Sequence, residues 1–283
     1  MTKFLLILLT TTITYLSASG QDLASLLKNN AIKIDKLDSL NNKIYDLLHH
    51  NKLIMIGEMH GTNEPAKFVK GLTELFTANG DSVQVGFEIP SELMTTFLKL
   101  KTDSSIYRSD FFSNNSSDGR ASLAWALTIS RLNRNPKVKI FFYDINNGES
   151  KNSDDRDSLM YIKIKKQIIK YPTWTTITLS GNIHNMRLPY KEKKKTGAYL
   201  VNDPELNISD KFCSLNHNYQ SGTMLNNIGN GLELRQVGNI NSGYAKLVDY
   251  DNYIFLFPIG QTNTYDGIFF TRTVTAAELA NEK

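Results

Sequence analysis

Cysteine is almost absent from this sequence. Cys213 is the only cysteine among 283 residues, so no intrachain disulfide can form. No catalytic motif surrounds it, and we expect Cys213 to be a small buried side chain. The lack of a cysteine near residue 20 also excludes a lipid anchor at that point of the chain.

The sequence also lacks a strong excess of charge and, after its first twenty residues, any long hydrophobic run. The net charge is +4, and the densest basic run, Lys191 to Lys195, is expected to be a solvated loop. This pattern predicts no nucleic-acid partner. No apolar stretch beyond residue 20 is long enough to cross a membrane as a helix.

The first twenty residues are typical of an export signal. Lys3 supplies a positive start, apolar residues follow, and the small residues Ala-Ser-Gly occupy positions 18–20. We expect residues 1–20 to be a signal peptide and the mature chain to begin at Gln21. An uncleaved anchor is the alternative, although the apolar stretch is short for a membrane span. The protein is therefore predicted to be exported, either periplasmic or secreted, with no transmembrane segment after cleavage.

Residues 21–283 are predicted to form a single α/β domain, since about 260 residues can bury a sizeable core. Four apolar runs of strand length alternate with stretches of helical periodicity, as parallel β-α-β connections require. These runs are residues 53–56, 83–87, 138–143 and 175–179. We expect a central, largely parallel sheet with flanking helices and with antiparallel strands added near the C-terminus.

Two other regions carry weaker patterns. The polar stretch from Lys101 to Gly119 is rich in Ser and Asn and is predicted to be a mobile loop or lid over a cleft. Near the C-terminus, glycines separate short apolar segments that predict strands. These segments are residues 211–217, 232–237, 244–248 and 253–257.

Each of the four apolar runs is followed by ionisable residues. They are Glu58 with His60 after the first run, Glu88 after the second, Asp144 after the third and His184 after the fourth. Any one alone has an ordinary explanation as a helix cap or a salt-bridge partner. Parallel neighbours place their carboxyl ends along one edge of a sheet, so we expect the five side chains to converge there.

Glu58 and His60 share one side of that edge if the chain stays extended between them. A carboxylate beside a histidine stabilises the imidazolium, so such a pair can take a proton from water near neutral pH. No G-x-S-x-G motif surrounds Ser180. An activated water is therefore favoured over a covalent acyl-enzyme.

Seven short segments, in this order, resemble the erythromycin esterase superfamily, which also includes the ChaN-like haem-binding proteins and the Tiki metalloproteases. The resemblance extends from Leu53 to Phe270 and implies the α/β fold expected above. The chain is shorter than the macrolide esterases, which carry a larger helical insertion over the site. The segments are GEMHGTNE (57–64), GFEIP (86–90), FYDIN (142–146), DRDSLM (155–160), GNIHN (181–185), TGAYL (196–200) and YDGIFF (265–270).

The resemblance implies catalytic roles for four residues. His60 matches the histidine proposed as general base, and Glu58 matches the acidic residue two positions before it. Glu88 matches the glutamate of the second strand, and His184 matches the late histidine across the cleft. These four residues are the predicted catalytic set.

Three further residues are predicted to bind substrate. Arg156 matches an arginine at the start of the fourth crossover helix, where it can hold a carboxylate or an oxyanion. A buried ion pair of Arg156 with Asp144 or Glu88 is the alternative. Asp144 lies at a strand end that is polar in the family, and Glu64 can support His60 or the first turn of a helix.

The resemblance implies hydrolysis of an ester or lactone bond in a small-molecule substrate by His/Glu-activated water, which requires no cofactor. The alternative is a haem- or metal-binding protein without esterase activity. Haem iron takes His or Tyr as an axial ligand, but no CxxCH motif occurs. The substrate, the choice between these functions and the oligomeric state stay open at this point. A divalent metal would be held by Glu58, His60, Glu88 and His184.

Overall fold

A computed structural model describes most of the chain after the predicted signal peptide. The predicted cleavage after residue 20 lies outside the described residues and stays a prediction. No helix of the described part is long and apolar enough to cross a membrane. The described residues are 24–97, 99–100, 103–113, 118–146, 148–149, 153–227, 231–238, 244, 247–258 and 263–280.

A mixed sheet of nine strands runs through the described part of the chain, in the order β1-β8-β9-β6-β2-β5-β3-β4, with β7 paired to β6 outside this path. The neighbours from β9 to β4 are parallel, whereas β1, β7 and β8 pair antiparallel with their neighbours. This confirms the predicted fold class. The strands are β1 (Ile32–Lys33), β2 (Leu53–Glu58), β3 (Val83–Pro90), β4 (Val138–Asp144), β5 (Thr175–Gly181), β6 (Phe212–Asn227), β7 (Leu232–Gly238), β8 (Asn252–Leu256) and β9 (Gly267–Val274).

Helices connect and cover these strands. Two short 3₁₀ helices, Ser91–Leu93 and Asn182–Asn185, follow β3 and β5 directly. The α-helices are α1 (residues 24–30), α2 (Asn42–Leu48), α3 (Glu64–Ala78), α4 (Met94–Phe97), α5 (Asp103–Tyr107), α6 (Asp110–Ser113), α7 (Leu123–Asn133), α8 (Ser153–Lys170) and α9 (Thr196–Val201).

The two faces of β2 bury two different cores, because side chains alternate along a strand. Ile54 and Ile56 belong to the large core with the apolar residues of α3 and α7. Leu53 and Met55 belong to a second core with residues of α8 and α9. All four side chains have no exposed surface. Burial on both faces explains why this strand is a continuous apolar run in the sequence.

The four strands that carry the predicted site residues are consecutive neighbours in the order β2-β5-β3-β4. Their ends meet at one edge, since Glu58 pairs with Gly181 and Asp144 pairs with Pro90. The register of β3 against β4 is irregular between Phe87 and Pro90, at the position of Glu88. The sheet therefore assembles the predicted polar edge.

The C-terminal strands differ from the prediction. β6 continues to Asn227 instead of ending near residue 217, and it lies parallel to both β2 and β9. Tyr244 and Leu247 are helical, so the strand predicted at 244–248 is wrong. Alternating apolar residues indicate a strand, but the direction of pairing depends on partners that are distant in the sequence.

The segment after β3 begins with a 3₁₀ turn that is followed by the four residues of α4. The predicted mobile loop comes next and differs from the prediction. Residues 103–113 of the predicted mobile loop form α5 and α6, and Ile106 and Phe112 are buried in the large core. These apolar side chains anchor a segment whose composition is otherwise polar. Residues 101–102 and 114–117 lie outside the described residues.

Candidate functional site

Glu58 and His60 form a tight pair at the end of β2. Glu58 is 3% exposed. Nδ1 of His60 lies 2.5 Å from Oε1 of Glu58, and Nε1 of Trp125 donates to Oε2 of Glu58 at 3.0 Å. Because an indole N–H is only a donor, Oε2 of Glu58 acts as an acceptor. We assign the proton of neutral His60 to Nδ1, which donates to Oε1 of Glu58 and leaves Nε2 free to accept a proton.

His184 forms a second pair of the same kind. Its Nδ1 lies 2.7 Å from Oδ1 of Asp157, in the first turns of α8. The hydroxyl and amide of Thr196 donate to the same oxygen at 2.8 and 3.0 Å, and Nζ of Lys195 lies 3.1 Å from Oδ2. The carboxylate of Asp157 thus orients the imidazole of His184 through Nδ1.

Glu88 lies between the two imidazoles and is fully buried. Its Oε2 accepts a hydrogen bond from the amide of Gly181 at 2.8 Å and lies 3.9 Å from Nε2 of His60. Its Oε1 lies 3.6 Å from Nε2 of His184. A Cβ on Gly181 would lie 3.1 Å from Nε2 of His60 and 3.7 Å from Cδ2 of His184. Glycine therefore keeps the space between the two rings clear of a side chain.

Two arginines neutralise the buried carboxylates. Nε and Nη2 of Arg156 each donate to Asp144 at 2.9 Å, and Nη2 also binds Oε1 of Glu88. Nη1 of Arg120 donates to Oε1 of Glu88 at 3.1 Å and to Oδ2 of Asp144 at 2.8 Å. Arg156 therefore forms the ion pair that the sequence allowed as an alternative, and its bidentate partner is Asp144.

These contacts keep the two carboxylates ionised. Burial alone would raise the pKa of Glu88, but the positive charge of Arg120, followed by His184, His60 and Arg156, holds it well below its usual range. Burial would likewise raise the pKa of Asp144. The hydrogen bond from Arg156 and the positive charges of Arg156 and Arg120 together outweigh burial, so this pKa is also lowered. A carboxylate with so low a pKa is a poor proton acceptor at neutral pH.

The proton affinity of His60 changes in the opposite direction. Burial lowers the pKa of His60, but the hydrogen bond to Glu58 and the charges of Glu88 and Glu58 outweigh it, and the net pKa is raised. Arg120 opposes this increase. Among the groups of this cluster, His60 therefore combines an open nitrogen with a strengthened affinity for a proton.

Glu64, the third predicted substrate-binding residue, lies at the start of α3. Its carboxylate accepts hydrogen bonds from the hydroxyl of Thr275 at 2.6 Å and from the amide of Thr275 at 3.1 Å. These contacts tie the N-terminus of α3 to the segment after β9.

Three residues of the cluster escaped the sequence-based prediction. Asp157 was inside a recognised segment, one position after Arg156, but received no role. Trp125 lies in α7, between the second and third apolar runs, and belongs to none of the recognised segments. Arg120 follows a polar stretch and carries no local signal of function. Each of these contacts joins residues that are far apart in the sequence, so spacing alone did not indicate them.

The four predicted metal ligands converge, but the two carboxylates among them, Glu58 and Glu88, are already engaged with hydrogen-bond donors. The described residues contain no group of three or more His, Cys, Asp or Glu that could hold a metal ion. Both oxygens of Glu58 and both oxygens of Glu88 already accept hydrogen bonds. Around Glu88, two guanidinium groups supply the positive charge that a divalent cation would otherwise supply.

The fold is shared with solved structures at low sequence identity. A Bacillus cereus protein matches with a TM-score of 0.65 and 12% identity over 92% of this chain and 99% of its own. A succinoglycan biosynthesis protein matches with a TM-score of 0.64 and 8% identity over 93% of this chain and 99% of its own. A mutant of the erythromycin esterase EreC, in its open conformation, matches with a TM-score of 0.55 and 12% identity over 86% of this chain and 96% of its own. No protein-family model and no curated protein matches. The chain therefore has an erythromycin esterase-like fold.

Proposed function

We propose that this protein is an exported hydrolase that cleaves an ester or lactone bond in a small molecule with water activated by His60. The observation that carries the proposal is the pair formed by Nδ1 of His60 and the buried carboxylate of Glu58, 2.5 Å apart, with Nε2 turned towards the polar edge. The fold shared with an erythromycin esterase supports the same class of reaction.

In the proposed step, Nε2 of His60 takes a proton from water while the water oxygen attacks the carbonyl carbon. A carbon–oxygen bond forms, and the electron pair of the carbonyl bond moves onto its oxygen. When the tetrahedral intermediate collapses, the leaving oxygen takes the proton back from Nε2. The histidine returns to its neutral form, and the products are a carboxylic acid and an alcohol.

Glu58 and Glu88 stabilise the imidazolium that this step creates. Glu58 holds the Nδ1 proton of His60, and Trp125 fixes the other oxygen of the same carboxylate. Oε2 of Glu88 lies 3.9 Å from Nε2 of His60 and adds a second negative charge. Charges that are fixed before the reaction are an effective way to stabilise a charge that develops during it.

Arg156 and His184 form the opposite wall in this proposal. The described hydrogen bonds of Arg156 engage Nε and Nη2 with carboxylates, whereas Nη1 lies 3.2 Å from Nε2 of His184. We assign Nη1 of Arg156 to the oxyanion of the intermediate. Asp144 then acts by holding the guanidinium in place, and Asp157 acts by orienting His184.

The test is hydrolysis of a panel of aryl esters and lactones by wild type, His60→Ala and His50→Ala, with metal analysis of each preparation. His50 is exposed and follows α2, away from the cluster, so its loss should leave the rate unchanged. Loss of a general base typically lowers the rate by about 10²- to 10⁴-fold, which we expect for His60→Ala.

Wild-type rates in the His60→Ala protein would refute the assignment of the base. If the chain instead binds a metal, purified protein should contain it, His60→Ala and His184→Ala should lose it, and a chelator should abolish any hydrolysis. A haem-binding protein would show a Soret band after incubation with haem. Hydrolysis that is insensitive to a chelator and free of metal supports the water mechanism.

A further inference from the structure

The geometry points to Arg120 as a positioning residue of the proposed site, held in place by the close packing of Gly119 against Gly61 and Leu225. This inference rests on the proposed function for its catalytic meaning. Its structural part, the dependence of His60 on Arg120, can be measured without a substrate.

The guanidinium of Arg120 contacts both the backbone carbonyl and the carboxylate of Glu88. Nη1 of Arg120 donates to the carbonyl oxygen of Glu88 at 2.8 Å, to Oε1 at 3.1 Å and to Oδ2 of Asp144 at 2.8 Å. Nε donates to Oδ2 of Asp118 at 2.8 Å. The side chain is 14% exposed. One guanidinium thus fixes the carboxylate that lies between the two imidazoles.

The backbone of residues 118–120 is held by contacts that only glycine allows. Gly119 has a φ of +86°, and a Cβ there would lie 2.3 Å from the carbonyl oxygen of Leu225 and 2.7 Å from Cα of Gly61. The amide of Leu225 in turn donates to the carbonyl oxygen of Gly61 at 3.0 Å. Three separate segments therefore meet at Gly119, one residue before the arginine.

This packing determines where the charge of Arg120 lies. Gly61 is adjacent to His60, so the segment that carries Arg120 rests on the same turn that carries the proposed base. A displacement of Gly119 would withdraw the guanidinium from Glu88. The position of Arg120 and the position of His60 are therefore coupled through backbone contacts.

The charged groups around the two residues define the expected effect. Glu88 faces Arg120, Arg156, His60 and His184. His60 faces Glu58 and Glu88, and Arg120 acts on it at longer range. Without Arg120, the negative charge of Glu88 is less compensated, and His60 should bind its proton more tightly.

The experiment is an NMR titration of the His60 ring, assigned with a His60→Ala variant, in wild type, Arg120→Met and Arg120→Lys. We expect the midpoint of His60 to move to higher pH by about one unit in Arg120→Met, the order expected for a nearby charge. Arg120→Lys keeps the charge and should recover most of the wild-type midpoint. If folded Arg120→Met titrates like wild type, the inference is overturned.

A pair of glycine variants tests the packing itself. Gly119→Ala should reproduce the shift seen in Arg120→Met, because its methyl group cannot fit between Leu225 and Gly61. Gly80 is the matched control, since its φ is +105° but no atom lies within 4 Å of its Cβ position. Gly80→Ala carries a similar backbone cost and should leave the midpoint of His60 unchanged.

Equal midpoints in Gly119→Ala and Gly80→Ala would refute the packing part of the inference. If an Arg120→Met protein does not fold, the positioning role of Arg120 is still tested by comparing the titration midpoints of His60 in Arg120→Lys, Gly119→Ala and Gly80→Ala. The titration and the ester panel can fail separately. A shifted His60 without hydrolysis supports the positioning role and refutes the hydrolase, and hydrolysis without a shift does the reverse.

Discussion

At the scale of single residues, the histidines show how the same side chain acquires different properties. His60 and His184 each donate Nδ1–H to a buried carboxylate and turn Nε2 towards Glu88. His217 is buried among aromatic rings, with Nε2 on the hydroxyl of Thr271, and burial lowers its pKa to about 3. Position after a strand predicted the first two as site residues, whereas His217 lies within the strand β6.

The residues that the sequence did not predict are those that act on the histidines through space. Asp157 follows Arg156 on a helix, where neighbouring side chains point about 100° apart, so a joint role is not evident from the sequence. Arg120 binds Glu88 and Asp144 from a segment with no motif. When roles are transferred from a family by matching sequence motifs, only residues inside those motifs can receive a role.

At the scale of elements, the strands that form the site were predictable because their signals are local. Apolar runs followed by polar residues predicted the ends of all four strands, and helical periodicity predicted α3 and α8. The two-residue strand β1 carries too little pattern to identify. The parallel pairing of β6 with β2 and β9 depends on partners up to 159 residues away, such as Leu53 and Phe212.

The start of α3 gives a prediction that separates a structural role from substrate binding for Glu64. Glu64→Gln should lower the free energy of unfolding by about 1–3 kcal/mol, because its charge accepts the hydrogen bonds of Thr275. Thr275→Val, which removes the hydroxyl but keeps the shape, should lower it as well. The measurements are urea unfolding and KM for the best ester of the panel.

KM should be unchanged in both variants if Glu64 only ties α3 to the segment after β9. A KM that rises in Glu64→Gln but not in Thr275→Val would instead assign Glu64 to substrate binding.

At the scale of the whole molecule, the buried charges make stability depend on pH. The pKa values of Glu88, Asp144 and Asp157 are lower in the folded protein than the usual values of about 4. The unfolded chain therefore binds more protons as the pH falls through that range. The stability that these groups contribute is present above about pH 4 to 5 and is lost progressively below it.

We predict that the free energy of unfolding falls steadily between about pH 5 and pH 3, as measured by urea unfolding. His60 does not obscure this trend, because at these pH values it is protonated in both the folded and the unfolded protein. Asp144→Asn should be less stable at neutral pH and should show a weaker dependence on pH. A free energy that is constant or that rises as the pH falls would contradict the ionised state of the cluster.

The central claim is that His60 is the base and that Glu58 sets its proton affinity. The most direct test is the pH dependence of kcat/KM for wild type and Glu58→Gln on the best substrate of the ester panel. The base must be unprotonated, so the rate should fall as the pH drops through the pKa of His60. Because Glu58 raises this pKa, Glu58→Gln should move the acidic limb to lower pH while lowering the maximal rate. An acidic limb that is absent in wild type, or that stays at the same pH in Glu58→Gln, would contradict the account.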